Sequence, residues 1–222
     1  RDVFVVGGGF IGIEVAENLR LAGKNVRLAE LSGQILQPLD EDIVQILHKE
    51  LDDNGIELLL HTNVQSITAD GVAVERAGTQ ETYPADAVVL AIGVVPETKL
   101  AAAAGLELGK SGAIHVNENY QTSDPDIYAV GDAIEIFDPQ TRVWRKLALA
   151  GPAQFEARAA ADHICGAAQQ NHGFAGALCL RVFKQNAAAA GLSEAGAARA
   201  GIAADSVLIF PGDKVGIMPE WH

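Results

Sequence analysis

Apolar and polar residues change their period several times along this 222-residue chain, and each change marks an element. Residues 3–6 (VFVV) make an unbroken apolar run that suits a buried strand, and the run ends abruptly in Gly7, Gly8 and Gly9. From Ile13 onward good helix formers follow. Residues 25–30 predict a second strand and residues 31–38 a loop. Asp40 is placed to cap a helix over 41–54, in which Ile43, Ile46, Leu47 and Leu51 recur at helical spacing. The acidic trio Asp40, Glu41 and Asp42 suits the positive end of that helix and reads as structural rather than catalytic. Gly55 stops the helix, and residues 56–60 form a third apolar strand. The order β-α-β-α-β is that of a mononucleotide-binding half of a doubly wound sheet.

The period then shortens. Residues 64–67, 72–75 and 81–83 alternate in the manner of strands, divided by Asp70-Gly71 and by Gly78, so a small antiparallel meander is expected in place of a crossover helix. Residues 87–92 return to an unbroken apolar run, the pattern of a strand in a sheet buried on both faces, and end at Gly93. An Ala-rich helix over 100–106 and a linker over 109–112 follow. Residues 122–136 read as an extended segment that breaks at Gly131-Asp132. That break is either a simple turn or a place where one carboxylate is aimed at a ligand hydroxyl. Beyond it the pattern predicts a polar loop over 138–145 and a helix over 151–166 opening on Gly151-Pro152. Strands over 173–183, 187–190 and 206–210 come next, with Ser193 capping a short helix over 194–200.

The first candidate chemistry is the G-x-G-x-x-G formed by Gly7, Gly9 and Gly12. Gly7 permits the turn out of the strand, Gly9 lets backbone approach a pyrophosphate, and Gly12 lets helix and strand pack closely. The phosphates would lie at the helix N-terminus, where unpaired N–H groups and the helix dipole favour an anion. Glu30, at the end of the second strand, follows Gly12 at nearly the spacing of about 20 residues expected for a carboxylate that holds the adenosine ribose. Gly93 lies beyond the carboxyl end of a strand in the same unit, where open α/β sheets bind their ligands.

Composition removes several alternatives. A formal charge of −13 argues against a nucleic-acid surface, which needs clustered Lys and Arg. No apolar run approaches the roughly 20 residues of a membrane-spanning helix. The chain opens on a core strand with no room for a leader, as a piece of something longer would, and its two cysteines fit a reducing, cytoplasmic compartment. Cys165 and Cys179 form no C-x-x-C and read as packing residues, and the six histidines lack metal-ligand spacing, so no metal is assigned. Trp144 and Trp221 suit either a core or an interface.

Six stretches, in order, carry a resemblance: VVGGGFIGIEVAENL, AELSGQIL, LAIGVVPET, TSDPDIYAVGDA, LALAGPAQFEARAAADHICG and ALCLRVF. The chain resembles the FAD-dependent pyridine nucleotide-disulfide oxidoreductases, in the branch holding NADH oxidases, NADH peroxidases and coenzyme A-disulfide reductases. The resemblance implies an α/β fold: a Rossmann-like NAD(P)-binding domain with a β-meander over 1–110, then the C-terminal part of an FAD-binding domain over 111–171. The start of an α+β interface domain, the homodimerisation unit of the family, would occupy 172–222. The family's N-terminal FAD segment and its redox cysteine have no counterpart in this sequence, so no catalytic residue is assigned here and the isolated chain is expected to be inactive.

Carried over position by position, the resemblance gives Gly7, Gly9 and Gly12 to the NAD pyrophosphate and counts Phe10 and Ile11 among the cofactor-binding residues. Glu30 would take the adenosine ribose, and with Leu31 and Ser32 following it and no basic residue, NADH is expected over NADPH. Glu14 would lie near the nicotinamide, and Gly93 beside the cofactor. Phe10 stands where many relatives have Tyr, as a lid between nicotinamide and flavin. Asp132, with Gly131, would accept a hydrogen bond from the FAD ribityl chain, and Leu149 and Ala150 open a helix pointing at the flavin pyrimidine. The implied activity passes hydride from NADH to FAD and on to a disulfide, a peroxide or sulfenic acid, or oxygen. The stretch KVGIMPEWH after Pro211-Gly212 lacks the tyrosine of relatives that reduce coenzyme A disulfide. From another class, the residues are also compatible with an NAD(H)-binding module without redox turnover.

Overall fold

The computed structural model describes residues 1–167 and 173–210. Its first unit is the expected parallel sheet. β1 (Asp2–Val6), β2 (Asn25–Ala29) and β3 (Ile56–Leu59) alternate with α1 (Phe10–Leu21) and α2 (Glu41–Asp53). Three short strands, β4 (Thr62–Thr68), β5 (Gly71–Arg76) and β6 (Thr79–Tyr83), form the antiparallel meander, and β7 (Ala87–Leu90) rejoins the parallel sheet. The sheet order is β3-β2-β1-β7, with β1 paired in parallel to both β2 and β7.

Burial follows the pattern. Val3, Phe4 and Val5 are almost wholly covered, as are Val26 and Leu28 on β2. Each side chain of this size contributes about 1.5–3 kcal/mol by leaving water. Ile13 and Ala16 of α1, with Val44, Leu47 and Leu51 of α2, close one face of the sheet, while Val72 and Val74 of the meander close the other with Phe4, Ala29 and Leu59. β7 departs from expectation. It is an edge strand whose side chains are half-buried or exposed, with Leu90 59% accessible. Its Val89 and Val88 pack against the cores on opposite faces of the sheet, and among the described residues no strand pairs with its outer edge.

A second, smaller core is organised around Tyr120, Ile134, Ile136, Val116 and the Ala159-Ala160 face of α4 (Ala150–Ile164). After α3 (Lys99–Ala103), the chain here is held by single bridges, Leu108 to Ile114, Ile114 to Ile134 and Gln121 to Tyr128, rather than by long ladders. The linker expected at 109–112 is a tight turn: Gly109 N–H donates to the Ala113 carbonyl and Gly112 N–H to the Gly109 carbonyl. Nor is 138–145 a loop. β8 (Glu135–Asp138) and β9 (Val143–Lys146) make a hairpin closed by Asp138, whose carboxylate takes the N–H groups of Gln140 and Thr141 and pairs with Arg145.

The last unit is a hairpin of β10 (Ala177–Val182) and β11 (Gln185–Ala190), then α5 (Glu194–Arg199), whose Gly196 N–H donates to the capping Ser193 hydroxyl. Leu180, Val182 and Ala187 join the same core as α1 and α2. The Asp40 side chain makes no bond to its own helix. Its carboxylate instead accepts from Glu194 N–H at 2.7 Å, so it caps α5 from 154 residues away. Residues 206–210 form no strand: they run with Val207, Ile209 and Phe210 exposed, and among the described residues they have no ladder partner to hold a β-prone run in a sheet. Cys165 and Cys179 are both exposed free thiols rather than packing residues, one at the end of α4 and the other on the outer face of β10. Trp144 lies half-open on β9 against His115 and Phe137; Trp221 and the 211–222 stretch lie outside the described residues.

Candidate functional site

The glycine turn between β1 and α1 is built by exclusion. Gly7 has φ +107°, and a side chain there would run into the Ala91 carbonyl of the chain leaving β7. A Cβ on Gly12 would strike the Gly7 carbonyl, so the two glycines allow α1 to press against the turn. Gly9 differs. A Cβ there would meet nothing within 4 Å, leaving open space over the first turn of α1, whose N-terminal N–H groups have no side-chain cap. That is the form of a cradle for an anionic group.

Gly8, absent from the motif's spacing, turns out to tie the turn to Glu30. Its N–H donates to Glu30 Oε2 at 2.6 Å and its carbonyl accepts from Leu36 N–H at 2.9 Å. The other carboxylate oxygen of Glu30 accepts from the Ser32 hydroxyl at 2.6 Å and Ser32 N–H at 2.9 Å. Burial pushes the Glu30 carboxyl up, but the bonds from Ser32, Gly8 and Leu31 outweigh it and hold the group below its usual value, so it is ionised at neutral pH. Of its two oxygens, Oε1 takes both Ser32 donors and Oε2 takes Gly8 N–H, so a ribose hydroxyl would approach on the Oε2 side. Ser32, noted in the sequence only for not being basic, is thus the residue that orients Glu30.

These residues line a cleft of about 710 Å³ at the carboxyl ends of the parallel strands. Gly7, Gly9, Phe10, Ile11, Glu30 and Gly93 all contribute to it, and the meander adds Thr62, Asn63 and Val64. Its walls suit the adenosine and pyrophosphate portions of a dinucleotide: an open anion cradle, an ionised carboxylate near it, and apolar sides.

A second cleft of about 790 Å³ lies between the β8–β9 hairpin, the chain entering α4, and the β10–α5 unit. Phe10, Gln37 and Pro38 line both clefts. Leu149 lines the second one, and α4 starts there without a side-chain cap. Glu14, Gly131, Asp132 and Ala150 line neither: Glu14 is exposed on α1, and Ala150 begins α4. Gly131 and the exposed Asp132 form a 3-10 turn (Gly131–Ala133) packed beside the opening turns of α4. Glu156, which no motif singles out in the sequence, is 1% accessible and accepts from Gly131 N–H at 2.6 Å. Burial, reinforced by the charge of Asp132, raises its carboxyl above the usual value against the pull of the Gly131 bond.

The family model for pyridine nucleotide-disulphide oxidoreductases matches residues 1–157. The chain belongs to that family. Among relatives of this pyridine nucleotide-disulphide oxidoreductase chain, an NADH oxidase of Streptococcus pneumoniae serotype 4 is 34% identical over 192 residues, 86% of this chain and 42% of the oxidase. A CoA-dependent NAD(P)H sulfur oxidoreductase of Pyrococcus furiosus is 38% identical over 155 residues, covering 68% of this chain and 35% of that protein. The crystal structure of reduced CoADR-RHD from Bacillus anthracis is 39% identical with a TM-score of 0.87, covering 91% of this chain and 36% of that one. The chain therefore spans less than half the length of these relatives. Among the described residues no helix is long and apolar enough to cross a membrane.

Proposed function

We propose that this chain supplies the NADH site, and part of the flavin site, of a flavoprotein oxidoreductase. In that protein hydride passes from NADH to FAD and on to a disulfide, a peroxide or sulfenic acid, or oxygen. The observation that carries the reading is the pairing in one cleft of open space over Gly9 with an ionised Glu30 carboxylate held by Gly8 and Ser32. The relatives named as NADH oxidase and NAD(P)H sulfur oxidoreductase support the reaction class.

In this reading the bound nicotinamide supplies a two-electron hydride and the flavin takes it up. The first N–H groups of α1 receive the pyrophosphate, and Glu30 accepts from the ribose hydroxyls. A 2′-phosphate would face that ionised carboxylate, so NADH is preferred over NADPH. Phe10, in the wall shared by the two clefts, would act as a lid between nicotinamide and flavin. Asp132 and Gly131 would hold the flavin side chain, and the uncapped start of α4 at Leu149 and Ala150 would favour negative charge on the ring. Residues 1–110 would act as the NAD(P) domain, 111–171 as part of the FAD domain, and 172–222 as the start of the interface domain of a homodimer.

Titration calorimetry tests the Glu30 argument. The chain is expected to bind NADH at least about tenfold more tightly than NADPH, and Glu30→Ala to erase the difference while weakening NADH itself by about tenfold, the effect of a charged hydrogen-bond partner lost. Equal affinity of the unaltered chain for both nucleotides would overturn the preference. The simpler reading, an NAD(H) module without redox turnover, leaves Asp132 and the start of α4 without a task. It would be upheld if the intact protein carried no flavin and took up none.

A further inference from the structure

Between the Glu30 carboxylate and α2 the loop over 31–39 is held by an unusual bond. Ile35 N–H donates to His48 Nε2 on α2 at 3.3 Å, and His48 Nδ1 lies 3.3 Å from Gln45 Oε1. The two contacts are compatible with one ring form only. Nε2 accepts and must be bare, so Nδ1 carries the proton and donates to Gln45. Ile35 is wholly buried, its side chain lies against Gly8, and the next residue, Leu36, donates its N–H to the Gly8 carbonyl. Gly8 in turn bonds Glu30. A continuous set of bonded groups thus runs from the His48 ring to both halves of the candidate nucleotide cradle.

We propose that neutral His48 is a positioning residue for the pyridine nucleotide, so that nucleotide affinity falls as His48 takes up a proton. The inference rests on the NADH reading of the cleft. A proton on Nε2 turns the acceptor into a donor facing the Ile35 N–H, and the loop segment that backs Gly8 loses its tether. Burial disfavours the charged ring and lowers the His48 value below its usual 6.5. A lowered histidine leaves the tethered arrangement intact above pH 6.5 and removes it as pH falls toward the folded-state value.

The charged and titratable groups around this position are otherwise engaged. Glu30 at the head of the loop stays ionised throughout this range. Asp40 at the loop's end accepts from Glu194 N–H. On α2, Lys49 pairs with Asp53, and Glu50 takes Asn54 and the Lys184 N–H of the β10–β11 hairpin. Asp52 lies one turn on from His48, and the His61 ring lies beside Gly33 of the loop. Burial alone causes the His48 shift.

The test titrates this chain with NADH between about pH 7.5 and pH 5.5, beside 15N NMR of the histidine rings without nucleotide. Affinity is expected to fall about threefold to tenfold across that range, the loss of one buried hydrogen bond. His48→Gln, which presents an uncharged acceptor in the same place, should flatten the profile, and His61→Asn should leave it unchanged. The ring shifts should show the Nδ1–H form of His48 with a value below 6.5. An affinity that does not vary with pH, a profile abolished by His61→Asn rather than His48→Gln, or an Nε2–H ring would each overturn the proposal. Should His48→Gln fail to fold, the wild-type profile and ring form decide. Failure of NADH to bind at pH 7.5 would instead remove the NADH reading beneath it.

Discussion

The two glycine turns of this molecule, at Gly7–Gly12 and at Gly131, look alike in sequence and are built in opposite ways. The first is packed from both sides. Side chains at Gly7 or Gly12 would meet backbone, and the Gly8 peptide is bonded at its N–H by Glu30 and at its carbonyl by Leu36. The second rests on one buried support, Glu156, and its outer side is open: a Cβ on Gly131 would meet only the Ala153 methyl, at 3.7 Å. One turn is fitted tightly against its neighbours at Gly7, Gly8 and Gly12 and is open only over Gly9. The other is a half-site, with Asp132 exposed.

That contrast can be broken most sharply at Gly12. Gly12→Ala should destabilise the chain by about 2–4 kcal/mol, since backbone must move to admit the methyl, and should abolish NADH binding; thermal melting and calorimetry read both. Gly131→Ala should cost less, about 1–2 kcal/mol, arising from its φ of +77° rather than from any clash. If the two substitutions lowered the melting temperature equally, the packing difference would be wrong. The smallest effect is expected at Glu156→Gln. A carboxyl raised in the folded state contributes stability that is present below its ordinary value of 4.5 and is lost as pH rises through the folded value. The glutamine keeps an acceptor for Gly131 N–H without the buried charge. It should therefore raise the melting temperature at pH 8 by about 2–4 °C, roughly what 1 kcal/mol produces in a chain of this size, with the gain fading toward pH 4.5. A loss of stability at pH 8 would mean that the charge itself holds the turn.

The parallel sheet, both of its long helices and the meander were legible because unbroken apolar runs, helical spacing and Asp-Gly turns are local signals, and burial in a large core enforces them. The same reasoning failed where the decisive partner is remote. The apolar run at 206–210 has strand composition, yet pairing depends on a neighbour that composition does not reveal. The β8–β9 hairpin was hidden because its turn is closed by the Asp138 carboxylate and its strands are short and polar. Asp40 stands in a cap position and caps a different helix. In the candidate site, Gly7, Gly9, Gly12 and Glu30 were readable from spacing. Ser32, Glu156 and His48 were not, because a hydroxyl in a loop, an acid mid-helix and a histidine on α2 have ordinary solvent-facing explanations until the fold brings their partners to them.

The Phe10 ring, half-buried where the two clefts meet, has a mechanical consequence. Side chains, Phe10 with Gln37 and Pro38, form the boundary shared by a 710 Å³ space and a 790 Å³ space. A partition of that kind is positioned by torsion angles, which change between discrete staggered wells rather than by bending a sheet or a helix. Space gained by one cleft through such a step is taken from the other. Occupants of the two clefts would then compete for the volume of one aromatic ring, without any movement of the backbone.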